Sequence, residues 1–194
     1  SSAASDVYKR QGDALLNYAY EVMTSAVCAA SPENMKNCAG AAAVIARKAG
    51  IFGMVGGQSL DVLLTDKPVN EKEMEFIFNL KTGALIEAAF MAGAILAGAG
   101  KECVSQLEKA GNLVGVAFQI KDDILDVTST QEVLGKPVFS DEKNNKTTYV
   151  KLYGMEKAVA DVENMSEKAE SIVKSIGDNE FLIELINKLI SREK

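Results

Sequence analysis

Apolar residues recur every three to four positions along most of this chain, which is the spacing of one face of an α-helix. Ser31-Pro32-Glu33 ends the first such pattern and opens a second one, over about 33–50. No stretch shows the sustained alternation of half-buried strands, so the sequence predicts an all-α fold. The first pattern covers 13–29 through Leu15, Leu16, Ala19, Tyr20, Val22, Met23, Ala26 and Val27.

The same reasoning places further helices along the rest of the chain. A flexible joint at 53–57 leads into a short helix at 58–64, and Asn70 with Glu73 has the spacing of a capping box at the start of the next helix. The segment 128–145 is the longest irregular one, and loops of that length are usually functional. Helices are predicted over 71–97 (as one helix or a pair), over 101–127, and over most of the chain from Thr147 onward.

The N-terminal residues and one apolar stretch bear on domains and membranes. Residues 1–11 are polar and lack a periodic pattern, which we interpret as a non-native or disordered leader before one domain at 12–194. The stretch 83–100 contains Glu87 as its only charge, but it is too short and too rich in small residues for a membrane span. No signal peptide is evident, so a cytoplasmic location is expected.

The composition limits the chemistry. A net charge of −6 does not favour a nucleic-acid partner. The sequence has no histidine, which excludes catalytic triads with histidine and imidazole acid–base chemistry. Three widely spaced cysteines, Cys28, Cys38 and Cys103, predict buried free thiols in a reducing compartment. Any catalysis therefore rests on carboxylates, lysines and metal ions.

Three carboxylates lie within five residues at the end of the helix predicted over 101–127. If this run is helical, Asp122 and Asp126 lie one turn apart on one face with Asp123 beside them. A solvated acidic helix end is one interpretation, but the macrodipole disfavours Asp at a C-terminus, and the flanking Phe118 and Ile124 are not typical of a solvent face. Mg²⁺ prefers oxygen ligands and commonly lies between one or two carboxylates and a phosphate. The cluster therefore favours a metal site.

Several lysines could complete such a site. Lys81-Thr82-Gly83 places a cation in an apolar helix, where it could either extend to solvent or contact a phosphate. Lys136 and Lys146 lie in the irregular segment after the carboxylates; each alone is more typical of a surface residue. Together with the carboxylates, these lysines suit a metal-bound diphosphate. Gly56-Gly57-Gln58 with Asp61 is more typical of a helix start and of close packing.

The run Phe118-Gln119-x-x-Asp122-Asp123-x-x-Asp126 resembles the second aspartate-rich motif of the trans-isoprenyl diphosphate synthases, the polyprenyl synthetase family. The sequence of the run Lys81-Thr82-Gly83-Ala84-Leu85-Ile86 is most similar to that of the bacterial farnesyl diphosphate synthases. Further stretches resemble the family in the same order: Gly12-Asp13-Ala14-Leu15-Leu16, Gly56-Gly57-Gln58-x-x-Asp61, and Gly135-Lys136 followed by Asp141 and Lys146-Thr147-Thr148.

The resemblance implies a partial isoprenoid-synthase helical bundle that lacks its N-terminal helices, with 12–194 as the C-terminal part of one domain. Nothing in 1–11 resembles the family's first aspartate-rich motif, so the isolated chain is expected to be inactive. By resemblance, Asp122 would bind Mg²⁺ with support from Asp123 and Asp126. The resemblance also implies that Lys81, Lys136 and Lys146 contact the allylic diphosphate. It further implies a catalytic set of Lys81, Thr82 and Gln119, in which Thr82 and Gln119 face the reacting carbons.

The activity implied by the resemblance is that of a Mg²⁺-dependent prenyltransferase. It would condense isopentenyl diphosphate with an allylic diphosphate, as farnesyl diphosphate synthases do, and it would act as a homodimer. Two alternatives stay open. One is a class I terpene cyclase, which uses a similar carboxylate cluster. The other is a non-catalytic helical subunit that dimerises with, or regulates, a complete synthase.

Overall fold

The computed structural model describes residues 2–128, 147–177 and 179–192, with side chains from Val7 onward. All regular secondary structure in these ranges is helical, which confirms the all-α prediction. Lys136 and Lys146 lie outside the described residues. The helices are α1 (Ser2–Ala29), α2 (Met35–Ala49), α3 (Met54–Leu63), α4 (Glu71–Phe78), a π-helical turn (Asn79–Gly83), α5 (Ala84–Leu96), α6 (Lys101–Thr128), α7 (Tyr149–Tyr153), α8 (Met155–Ile176) and α9 (Glu180–Ser191).

Helix α6 is the central element of the fold. It packs against α5 on one side and α8 on another, so its side chains contribute to both hydrophobic clusters of the core. Val114 and Ile120 on this helix are fully buried. A helix that is apolar on several faces is typical of a bundle centre. The acidic cluster at the end of α6 is therefore carried by the most firmly packed element described.

Two glycines allow α5 and α6 to approach closely. A Cβ atom at Gly115 would lie 2.5 Å from the Cα of Gly83, and one at Gly111 would lie 2.8 Å from the Cα of Glu87. Real Cβ atoms do not approach other atoms so closely, so only glycine fits at these positions. The contact fixes the π-helical turn against α6.

A polar network joins α2, α5 and α6. Lys48 forms an ion pair with the buried carboxylate of Glu87, and its Nζ lies 2.8 Å from Oε1 of Glu108. Burial lowers the pKa of Lys48, but hydrogen bonds to Glu108 and Glu87 outweigh it, and the pKa is raised overall. Asn112 donates to Glu87 at 2.6 Å and to Asn79 at 2.9 Å. The network therefore ends at the first residue of the π-helical turn.

Helix α1 begins at Ser2, earlier than the apolar pattern predicts. Residues 2–11, part of the segment that we expected to be a non-native or disordered leader, are helical. They contain neither glycine nor proline, and Ala, Lys, Arg and Gln are good helix formers. Helix α1 packs mainly against α2, and many of its apolar side chains stay exposed. Its Leu15 and Tyr18 side chains are both 63% exposed.

The start of α3 also differs from the prediction. Gly56 and Gly57 lie inside this helix and do not form a flexible joint. The three cysteines are free, as predicted, but Cys28 is exposed on α1 and Cys38 and Cys103 are only partly buried. The prediction of buried thiols was therefore wrong for Cys28.

Two stretches of the described chain, Met35–Leu63 and Glu71–Leu96, are long and apolar enough to cross a membrane by length and composition alone. This is weak evidence, because core helices of soluble proteins meet the same criterion. The first stretch is broken between α2 and α3, and the second contains the π-helical turn. The absence of a membrane span stays a prediction.

Candidate functional site

The π-helical turn Asn79–Gly83 contains both residues that the sequence singled out between α4 and α5. Lys81 and Thr82 lie in the middle of this five-residue turn. A π-helical turn adds a residue to the helix and changes the direction of the side chains around it, and such turns are frequent at functional sites. The interruption seen in the sequence as Lys81-Thr82-Gly83 is therefore also an interruption of the backbone geometry.

Lys81 is held by a carboxylate from α3. Its Nζ lies 2.6 Å from Oδ2 of Asp61, and both side chains are largely buried. The pair forms because α3 passes very close to the turn: a Cβ atom at Gly57 would lie 2.3 Å from the backbone nitrogen of Lys81. The sequence prediction that Gly57 is a packing residue thus agrees with the structure. Asp61 does more than pack, since it neutralises the one lysine that the turn presents.

Thr82 contacts α6. Its hydroxyl group donates a hydrogen bond to Oε1 of Gln119 at 2.8 Å. The close approach of α5 and α6 at Gly115, one turn before Gln119, brings the two side chains within this distance. The structure therefore brings Lys81, Thr82 and Gln119, the predicted catalytic set, into one region.

The three carboxylates of α6 have different surroundings. The Asp122 side chain is 36% exposed and pairs with Arg192, whose Nη2 lies 2.5 Å from Oδ1. Asp123 and Asp126 are only 4% and 3% exposed. Asp123 accepts a hydrogen bond of 2.7 Å from the backbone N–H of Tyr149. Of the three, Asp122 is the carboxylate that solvent and a ligand can reach.

The segment that contacts Asp123 is itself anchored. Thr148 caps α7 through its side-chain oxygen, which accepts from the N–H of Lys151 at 3.3 Å. The hydroxyl of Tyr149 donates to Asp161 on α8 at 2.6 Å, and its ring stacks on Phe78. Burial, together with the hydrogen bond to Asp161, raises the pKa of the Tyr149 hydroxyl well above its ordinary value. Asp123 is thereby tied to a fixed part of the bundle.

A small cavity joins most of these residues. Its volume of about 40 Å³ is enough for a water molecule and far too small for a substrate. Residues of α3, the π-helical turn, α6 and the segment before α7 thus line one small cavity. The lining residues are Asp61, Ile77, Phe78, Lys81, Gln119, Asp123, Thr147 and Thr148.

The residues fit a Mg²⁺ ion of the kind that keeps most of its waters. Among the described residues no three carboxylates are arranged as a complete set of metal ligands. Mg²⁺ commonly uses one or two protein carboxylates and takes its other ligands from water and phosphate. Asp122, a partly exposed carboxylate on a rigid helix, suits that role. The roles predicted for Asp123 and Asp126 at the metal stay predictions, as do those of Lys136 and Lys146.

Sequence reasoning missed two partners of the carboxylates. Arg192 lies seventy residues after Asp122, and the backbone N–H of Tyr149 carries no side-chain signature, so no local pattern indicates either contact. Asp61 could have been found, because it occupies the last position of the Gly56-Gly57-Gln58-x-x-Asp61 motif.

Comparison with known proteins matches the sequence to one family. The sequence profile of the polyprenyl synthetase family covers residues 10–186. A chloroplastic geranylgeranyl pyrophosphate synthase of Capsicum annuum is 40% identical over 154 residues, which are 79% of this chain and 41% of the relative. The farnesyl diphosphate synthase of Geobacillus stearothermophilus is 37% identical over 144 residues, which are 74% of this chain and 48% of the relative.

Solved structures agree with this match. A Helicobacter pylori geranyltransferase complexed with magnesium and isoprenyl diphosphate superposes with a TM-score of 0.76 at 28% identity, covering 92% of this chain and 57% of the other. This chain therefore spans about half the length of the curated relatives that it matches.

Proposed function

Because this chain belongs to the polyprenyl synthetase family, we propose that it forms the part of a Mg²⁺-dependent trans-prenyltransferase that binds the diphosphate of an allylic substrate. The observation that carries the proposal is the convergence of the π-helical turn on α6. This convergence joins Thr82 to Gln119 and lies one helical turn from Asp122. The solved geranyltransferase with magnesium and isoprenyl diphosphate supports it by fold.

In this proposal Asp122 would hold Mg²⁺ directly, and Asp123 and Asp126 would support the metal and its waters. A bound Mg²⁺ neutralises the charge that develops on a departing diphosphate. Lys81 binds the diphosphate oxygens, and Asp61 keeps its ammonium group in place before the substrate arrives. The carbon–oxygen bond of the allylic diphosphate breaks, and the diphosphate leaves with the electron pair.

Thr82 and Gln119 then face the allylic cation. Because Thr82 donates its proton to Gln119, the lone pairs of the Thr82 oxygen stay available to stabilise positive charge. The double bond of isopentenyl diphosphate attacks the cation, a carbon–carbon bond forms, and the departed diphosphate takes up the proton whose loss restores a double bond. Small apolar residues of α5 exclude water from this step.

We further propose that the synthase is of the farnesyl type and that this chain alone does not complete the reaction. The run Lys81-Thr82-Gly83-Ala84-Leu85-Ile86 supports the farnesyl type. The sequence contains a single Asp-Asp pair, Asp122-Asp123, whereas the resemblance implies two aspartate-rich motifs. Purified chain mixed with Mg²⁺, isopentenyl diphosphate and dimethylallyl diphosphate should yield no prenyl product. Measurable condensation would contradict this part of the proposal.

Binding tests the site itself. In calorimetry, inorganic diphosphate with Mg²⁺ should bind the chain, whereas Mg²⁺ alone should bind weakly. Asp122→Ala and Lys81→Ala should each weaken the binding of Mg²⁺-diphosphate by about tenfold or more, because a charge-assisted contact is lost. Asp13→Ala and Lys36→Ala, which remove the same charges from exposed positions of α1 and α2, are the controls. Tight binding of Mg²⁺ without diphosphate would contradict the proposal.

A homodimer in the cytoplasm is part of the same proposal. The exposed apolar side chains of α1 support it, because apolar surface of this kind commonly mediates association. They are Val7, Tyr8, Leu15, Leu16, Tyr18 and Val22. Sedimentation should show association that depends on concentration, and a monomer at every concentration would contradict it.

The non-catalytic subunit is a second candidate, and the same exposed face of α1 favours it. In that case the chain should bind a complete synthase without binding Mg²⁺-diphosphate, so the calorimetry above separates the two. The family match and the Lys81-Thr82 element favour the synthase over a class I terpene cyclase.

A further inference from the structure

Arg192 lies against the acidic end of α6, although the proposed reaction does not use it. The chain leaves α9 at this residue with extended backbone angles. Its Nη2 donates to Oδ1 of Asp122 at 2.5 Å and to the backbone oxygen of Phe118 at 3.1 Å. Its Cζ lies 3.5 Å from the centre of the Phe118 ring. Three contacts of different kinds therefore hold one guanidinium group on Asp122.

Helix α9 delivers Arg192 to this position. Ile186 on α9 is fully buried in the core cluster that contains Val114 of α6, and Ile190 packs against the same cluster. Ile190 lies only two residues before Arg192. The arginine is thus carried by an element packed on α6 and not by a loose surface segment.

Arg192 has the properties of a counter-ion of Asp122 that another cation can replace. The Arg192 side chain is only 19% exposed, so its charge acts on Asp122 with less screening than a surface pair would have. Its Nε is buried and has no hydrogen-bond acceptor among the described residues. A guanidinium with an unsatisfied donor is bound less firmly than the short contact to Asp122 suggests.

A divalent ion and Arg192 compete for one carboxylate. A metal ion bound to Asp122 would lie within a few ångströms of the guanidinium, where two positive charges repel each other strongly. We propose that Arg192 is a positioning residue that neutralises Asp122 in the ligand-free protein and must move off its carboxylate before a divalent metal ion binds there. The inference rests on the proposed function, which makes Asp122 the metal ligand.

Metal affinity tests the inference without any assay of activity. Mn²⁺, used in place of Mg²⁺, is titrated into the chain without diphosphate, and free Mn²⁺ is measured by electron paramagnetic resonance. Arg192→Gln should bind Mn²⁺ about three- to tenfold more tightly, since the competing charge is gone. In an Asp122→Ala background the same substitution should change nothing. Arg192→Lys keeps the charge and should stay close to the unchanged chain.

Lys188→Gln is the matched control, because it removes one positive charge from an exposed position of the same helix. It should leave Mn²⁺ affinity unchanged, which excludes a general effect of net charge. Circular dichroism of each variant checks the fold, and Arg192→Ala replaces Arg192→Gln if the latter does not fold.

The outcomes separate the inference from the proposed function. Equal or weaker Mn²⁺ binding by Arg192→Gln, with binding lost in Asp122→Ala, would overturn the role of Arg192 and leave the function standing. Mn²⁺-diphosphate binding that Asp122→Ala does not weaken would contradict both, as would a lack of Mn²⁺ binding by every variant with and without diphosphate.

Discussion

The ammonium group of Lys81 lies 2.6 Å from the carboxylate of Asp61. Helix α3, which carries Asp61, can approach the π-helical turn this closely because Gly57 has no side chain. The contact fixes the position of the lysine before any substrate is present. In this bundle of packed helices, the position of the Lys81 side chain therefore depends on the approach of a neighbouring backbone.

Gly57→Ala should disrupt this arrangement. The new methyl group would lie 2.3 Å from the backbone nitrogen of Lys81, so α3 and the π-helical turn must move apart. Overpacking of this kind costs about 1–3 kcal/mol in the free energy of unfolding. Urea unfolding followed by circular dichroism measures it. Gly93→Ala is the control, because nothing lies within 4 Å of its new methyl group and a helical alanine should leave the chain as stable or slightly more stable.

Thr82→Val should remove the hydrogen bond to Gln119 while keeping the shape of the side chain. Because both groups are partly buried, we expect a loss of about 0.5–1.5 kcal/mol in the free energy of unfolding. A double-mutant cycle with Gln119→Leu should show a coupling of similar size. Thr24→Val, at an exposed position of α1 where the hydroxyl bonds only within its own helix, should change stability by less than about 0.5 kcal/mol. Additive effects at positions 82 and 119 would show that the bond contributes nothing.

Asp123 should stabilise the fold, in addition to the supporting role at the metal that we propose for it. Asp123→Ala leaves the N–H of Tyr149 without its acceptor and should cost about 1–3 kcal/mol of stability. Asp123→Asn keeps an acceptor oxygen and should cost less. Asp122→Asn, at a partly exposed carboxylate, should affect Mg²⁺-diphosphate binding more than stability. If Asp123→Ala and Asp122→Asn were equally stable, the structural role of Asp123 would be excluded.

Tyr149 should make the chain lose stability at high pH. Burial and Asp161 raise the pKa of its hydroxyl in the folded state, so the protonated form is favoured by folding. That contribution is complete below the unfolded pKa of about 10 and is lost as the pH rises from there towards the folded pKa. Tyr149→Phe should lower stability at pH 8 by removing the bond to Asp161, yet its stability should fall less between pH 8 and pH 11. Urea unfolding at both values checks this, and parallel curves would refute it.

The sequence was sufficient for the fold class. Helical periodicity is a local property, so the apolar residues of α6 and the capping box of Asn70 and Glu73 were readable without tertiary information. The prediction failed where packing is missing or unusually close. Residues 2–11 are helical without a periodic apolar pattern, and Gly57 lies inside a helix at a position where a neighbouring backbone leaves no space for a side chain.

The partners of the site residues were harder to predict. The Lys81-Thr82-Gly83 interruption indicated a site, but nothing local indicates that Thr82 would meet Gln119 or that Arg192 would reach Asp122. Such contacts depend on where helices cross, which the chain specifies only through the sum of its packing. The roles that the family resemblance implies for these residues stay predictions, and the structure adds the neighbours of each residue that it describes.

The π-helical turn also determines how far α5 is rotated about the helix axis relative to α4. An α-helix advances about 100° per residue, so one additional residue in the turn rotates every side chain of α5 by that angle relative to α4. Helix α4 directs Met74 and Phe78 into one hydrophobic cluster, while α5 directs Ile86 and Phe90 into the other. Deleting one residue between Asn79 and Gly83 would restore a regular α-helix. The apolar face of either α4 or α5, but not of both, would then point into its hydrophobic cluster. The π-helical turn that carries Lys81 therefore allows α4 and α5 to pack into both hydrophobic clusters of the core at once.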